Sequence, residues 1–93
     1  MTNAEQSETL ALRVLAWIAE RDELAGAFLG ASGASAEELL TRAGDPEFLG
    51  FVLDFLLSDE QALLAFCDEA EVHPEAPMRA RAALPGGDLP HWT

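Results

Sequence analysis

Few residues in this chain are of a type that does chemistry. Cys67 is its one thiol, and His73 and His91 are its two imidazoles. Asp54, Asp59 and Glu60 form the densest carboxylate group not explained as plain surface. A reactive thiolate needs a cation or a helix N-terminus beside it. Cys67 instead stands late in a helical stretch, on its apolar side, next to Asp68 and Glu69. It reads as a small core residue. A single cysteine also excludes an internal disulfide, a redox pair and a cysteine zinc cluster.

The other candidates read in the same way. A zinc site needs three or four converging ligands, whereas His73 and His91 lie far apart, each beside a proline. His73 follows a helix, where a cation complements the dipole, and His91 is a tail residue. Paired carboxylates can bind divalent cations or exchange protons. Asp59 and Glu60, however, fall in the first turn of a helix, where acids are favoured in any case. Asp54 interrupts an apolar helix, and is expected to accept from an amide or to pair with Arg13 or Arg21. Gly26 and Gly30 are spaced to let another helix approach closely. No Gly-x-Gly-x-x-Gly pattern or phosphate-loop lysine is present. Ser32, Ser35 and Ser58 have no nucleophile context. The reading is of no catalytic residue, no cofactor and no metal site.

Ninety-three residues make one small domain, and 49% hydrophobic content sets it apart from disordered chains. There are 17 acidic residues against five basic ones, all arginine, for a net charge of -12. Such a surface lacks the cationic face that nucleic acid and anionic membranes require. The N-terminal residues 1–8 are polar and acidic, unlike a secretory signal. The apolar run 48–57 has about half the length of a membrane span and is broken by Asp54. A cytoplasmic protein is expected.

The pattern is helical throughout. A first helix is expected over about 4–21, capped by Thr2 or Asn3, with Leu10, Val14, Trp17 and Ile18 on one face and Leu15 at its edge. Asp22 is placed to cap a short second helix over 23–31, stopped by Gly33. Ser35 to Glu38 is a capping box for a third helix to Ala43, with Gly44 as a left-handed stop. Asp45-Pro46 caps and starts the fourth helix, over 46–57, which is apolar nearly all round and therefore central. Ser58 to Gln61 reads as a second capping box, for a fifth helix to about Glu71. Two prolines in 73–77 break the chain before a last helix over 77–84. The fold class expected is all-α, a compact irregular bundle of five or six short helices in a single domain 1–93. Residues 1–3 and 86–93 are flexible or docked tails. The expected core is Leu10, Val14, Ile18, Phe28, Leu40, Phe48, Val52, Phe55, Leu56, Leu63, Leu64 and Cys67.

Several stretches together resemble one family. They are residues 12–19, Arg42-Ala43-Gly44-Asp45-Pro46-Glu47-Phe48-Leu49, Val52 to Glu60, and Ala83 to Gly86 with Trp92. They are similar to a family of short bacterial proteins catalogued only as a domain of unknown function. The resemblance covers nearly the whole chain, and its central stretch is the most specific part. It implies a stand-alone cytosolic bacterial protein. It supplies no activity, cofactor or site residue to carry over.

The expectation for function is a protein–protein interaction or regulatory module without catalytic activity. Its partner is an unidentified protein, with a basic one favoured by the charge. The alternative is an obligate homodimer, and less readily an acidic mimic of nucleic acid. Trp17, Phe51, Phe55 and Trp92 are the candidate contacts, since large aromatics dominate binding hot spots. Trp17 otherwise belongs to the core. Trp92 either folds back over the bundle or is offered to a partner. Arg79 and Arg81 are expected to pair with the chain's own acids.

Overall fold

Helix α4, Pro46–Leu57, follows from its sequence most directly. Asp45 is extended, and its carboxylate accepts the Glu47 N–H at 3.0 Å. Pro46 takes the first helical position, where an amide has no partner to lose. The helix then buries Phe48, Leu49, Gly50, Val52, Leu53 and Leu56. No single neighbour can cover such a distribution, so the remaining helices are arranged around it.

The computed structural model describes residues 3–84. In chain order the elements are α1 (Asn3–Ala19), α2 (Asp22–Ser32), α3 (Ala36–Arg42), α4, α5 (Glu60–Ala70) and α6 (Ala76–Ala82). The fold is all-α, with no strand among the described residues. The Thr2 cap and the tail at 86–93, with His91 and Trp92, lie outside the described residues. Helices α1, α4 and α6 pack mutually, α2 lies along α1, and α5 lies along α4. Helix α3 packs closely along none of the others.

The interior has two aromatic centres. Phe28 is 1% exposed, and meets the rings of Phe48, Phe51 and Phe55 at centroid distances of 5.8, 5.6 and 5.2 Å. Trp17 meets Phe66 edge-on at 5.7 Å. Ala11, Val14, Leu15, Ile18, Ala80 and Leu84 fill the space between α1, α4 and α6. Leu10, Phe55 and Leu63, expected in the core, are half-buried and pack against it.

Two expected core residues are outside. Leu40 is 86% exposed and Leu64 50%. Adjacent residues on a helix point about 100° apart. Leu39 and Leu63 turn towards the core, and this directs their neighbours outward. Phe66, expected on the inward side of α5, is buried a turn beyond Ala62.

Several boundaries also differ. Helix α1 ends at Ala19, because Arg21 turns extended (φ -115°, ψ 108°) and takes the cap position of α2 in place of Asp22. The Ser35 capping box is present in both directions. Gly33 stops α2 in the left-handed region (φ 73°). Gly44 does not repeat this, and α3 ends on a right-handed Ala43. The second capping box falls apart. Ser58 stays helical as the end of α4, its hydroxyl donating to the Phe55 carbonyl at 2.7 Å, and Asp59 alone caps α5. Helix α5 stops at Glu71, the one non-glycine residue with positive φ among those described. Gly26 and Gly30 are not close-approach sites: a methyl group at either would meet nothing within 4 Å.

Urea denaturation checks this packing from both sides. Phe28→Ala is expected to cost about 3–5 kcal/mol, comparable to the whole stability of a small domain. Gly26→Ala, in open space within α2, is expected to add about 0.5–1 kcal/mol.

Candidate functional site

The residues with chemical potential do not converge. Cys67 is buried, and its Sγ lies 3.8 Å from the His73 carbonyl, a weak donor contact. Burial pushes its thiol pKa above the usual range, which is the reverse of activation. The His73 ring is exposed. Its Nδ1 accepts the Glu75 N–H at 3.1 Å, a capping contact within the α5–α6 connection. Asp59 is occupied in capping α5. No group of three or more His, Cys, Asp or Glu side chains able to hold a metal occurs among the described residues.

Asp54 pairs with neither Arg13 nor Arg21. It accepts from Nε of Arg81 at 2.6 Å, tying the polar edge of α4 to α6. The other two were already committed. Arg13 donates to the Ala70 carbonyl at 3.3 Å. Arg21 donates to the Trp17 carbonyl at 2.9 Å and to Glu69 at 2.6 Å, with its guanidinium 4.0 Å above the Trp17 ring. Arg79 pairs with Glu75 at 3.6 Å. Arg42 lies over the Phe48 ring at 5.3 Å. All five arginines are thus engaged within the chain, and the carboxylate excess remains on the outside.

The candidate contact residues fall in two places. Trp17 is 8% exposed, sandwiched by Phe66 and Arg21. Its indole N–H is buried and meets no acceptor among the described residues; a buried donor left unpaired costs about 1–3 kcal/mol. Phe51 and Phe55 are half-buried against Phe28 on the α2 side of α4. The Trp92 tail lies outside the described residues.

A surface feature that the sequence reading missed lies at the α3–α4 junction. Helix α3 has a complete capping box at its start, yet none of its side chains is fully buried, and Leu40 stands 86% exposed on it. Next to it is a concavity of about 330 Å3 lined by Ser32, Arg42, Asp45, Glu47, Phe48 and Phe51. Its polar residues are carboxylates, one guanidinium and a hydroxyl, over aromatic carbon. The sequence did hold one signal for this: two adjacent leucines on a two-turn helix point about 100° apart, and a helix that meets the core along a narrow edge turns one of them outward.

The fold and this surface define a small all-α bundle with an acidic exterior. No helix among the described residues is long and apolar enough to cross a membrane. The family model described as Protein of unknown function (DUF3572) matches residues 4–87, and the chain belongs to that family. No curated protein and no solved structure matches it.

The buried, neutral Cys67 gives a direct check. Reaction with a thiol reagent is expected to be at least roughly an order of magnitude slower in the native protein than in denaturant. The raised pKa adds a pH dependence. The stabilisation is full below the unfolded thiol's pKa and is lost as pH rises through the higher native value. Cys67→Ala is therefore expected to flatten the alkaline limb of a melting-temperature profile.

Proposed function

We propose that this chain is a non-catalytic protein–protein interaction module that meets its partner through α3. The observation that carries this reading is Leu40. A leucine 86% exposed, on a helix with a complete N-terminal capping box and no fully buried side chain, is structure maintained at the surface rather than in the core. Burial of one such side chain in a partner contributes about 1.5–3 kcal/mol. The engaged arginines support the same reading. They leave the exterior anionic, which favours a basic partner and speeds its encounter. A second copy of this chain would bring a further charge of -12 to the contact, and that repulsion works against self-association.

In-cell crosslinking followed by mass spectrometry, comparing wild type with Leu40→Glu, tests the reading. The wild type is expected to hold a protein partner in near-stoichiometric yield. The variant is expected to lose it while its helical circular dichroism and melting temperature stay close to wild type. Equal recovery by both proteins, or no partner above background for the wild type, contradicts the proposal.

A further inference from the structure

We infer that the groove between α1 and α6 is a binding site for a small monocarboxylate whose short apolar body carries one further hydrogen-bonding group. The site uses no residue of α3. It goes beyond the interaction reading above, which stands or falls separately.

Ser7 carries the argument. It is 6% exposed and bears the only buried hydroxyl among the described residues. A serine or threonine inside a helix commonly turns its hydroxyl back to a carbonyl one turn earlier. Thr9 does so, donating to the Glu5 carbonyl at 3.0 Å. The Ser7 hydroxyl makes no hydrogen bond to any described residue, and Ser7 lines a concavity of about 360 Å3. A buried hydroxyl without a partner is unfavourable, and a ligand seated in this concavity supplies one.

The rest of the lining sets the chemistry of that ligand. Gln6 and Leu10 stand with Ser7 on α1, and Arg79, Ala80 and Ala83 face them from α6. Leu10 and the alanine methyl groups make a short apolar wall. Arg79 is the one cation in the lining. Its ion pair with Glu75 spans 3.6 Å, beyond hydrogen-bond length, so its guanidinium keeps its donors for a carboxylate. Arg79 is exposed and Ser7 is buried. The anionic end of the ligand therefore lies at the mouth, and its second polar group lies inside, against Ser7. A single cation, flanked by Glu75 on a chain of net charge -12, favours one negative charge over a polyanion. The volume falls at the small end of ligand pockets, which run from roughly 300 to 1,000 Å3. It fits a ligand of amino-acid size.

The test uses the full chain, labelled with nitrogen-15 and titrated at fixed pH and ionic strength. The probes are N-acetylleucine, its uncharged amide, and 4-methylpentanoate, which keeps the carboxylate and the branched chain but lacks the acetylamino group. N-acetylleucine is expected to bind saturably in the millimolar range, as about a dozen heavy atoms allow, with the largest amide shifts at Ser7, Leu10, Arg79 and Ala80. The other two probes are each expected to bind at least about threefold more weakly. Arg79→Gln is expected to weaken N-acetylleucine about tenfold. Arg42→Gln, the same change in charge at another face, is expected to alter it by less than about twofold. Ser7→Ala is expected to weaken binding about three- to tenfold, with a melting temperature at or above that of wild type, because the hydroxyl removed has no partner in the free chain. Ala83→Leu places a larger side chain in the groove and is expected to abolish saturation.

Equal binding of N-acetylleucine and its uncharged amide overturns the inference, as do equal effects of Arg79→Gln and Arg42→Gln, since either means that no carboxylate is read at Arg79. Equal binding of 4-methylpentanoate, or unaltered binding by Ser7→Ala, overturns it too, by removing the role of Ser7. Shifts confined to another face, or no saturation by N-acetylleucine, overturn the site. None of these outcomes bears on Leu40, which the crosslinking comparison tests by itself.

Discussion

Helix α4 carries apolar side chains on almost every side, and a chain of 93 residues has few other elements with which to cover them. The hydrophobic effect is non-directional, so coverage is all that is required of the neighbours. Helices α1 and α6 close two sides, α5 a third, and Phe28 of α2 caps the aromatic cluster formed with Phe48, Phe51 and Phe55. With no disulfide available, this burial is the main source of stability. Asp54, the charge that α4 carries midway along its length, is matched by Arg81 from α6.

That constraint also explains what is left over. Once α1, α2, α5 and α6 cover α4, α3 has no core face to fill. It contributes Leu39 and Ala43 at the margin and directs Leu40 to solvent. Its N-terminus is secured locally by the Ser35 and Glu38 capping box, and hydrogen bonding to Ser35 lowers the Glu38 carboxyl pKa. Local hydrogen bonds therefore do for α3 what packing does for the other five helices. The charge distribution has a similar logic: each arginine fixes a contact inside the chain, and the surplus carboxylates face outward.

The sequence made local features legible. Asp45-Pro46 marks the start of α4, Ser35 to Glu38 the start of α3, and Gly33 the end of α2, because each acts through atoms within a few residues. Long-range choices were not legible. Arg81, Arg13 and Arg21 are equivalent candidates for Asp54 until Glu69 and the Ala70 carbonyl claim the last two. Leu40 and Leu64 look as apolar as Leu39 and Leu63, and only the direction of the packed neighbour separates them. At Ser58-Asp59 two good caps compete, and α4 continues far enough to take the first. The α3–α4 concavity was invisible for the same reason, since its lining is made of residues that are ordinary one by one.

Native-state amide hydrogen exchange on the full chain tests the central claim, that α4 is the buried hub and α3 is held only locally. The amides of Val52, Leu53 and Leu56 should exchange most slowly, through global unfolding, and those of α3 faster than any other helix interior. Protection of Leu39 to Arg42 equal to that of α4, or rapid exchange within α4 itself, would contradict this arrangement.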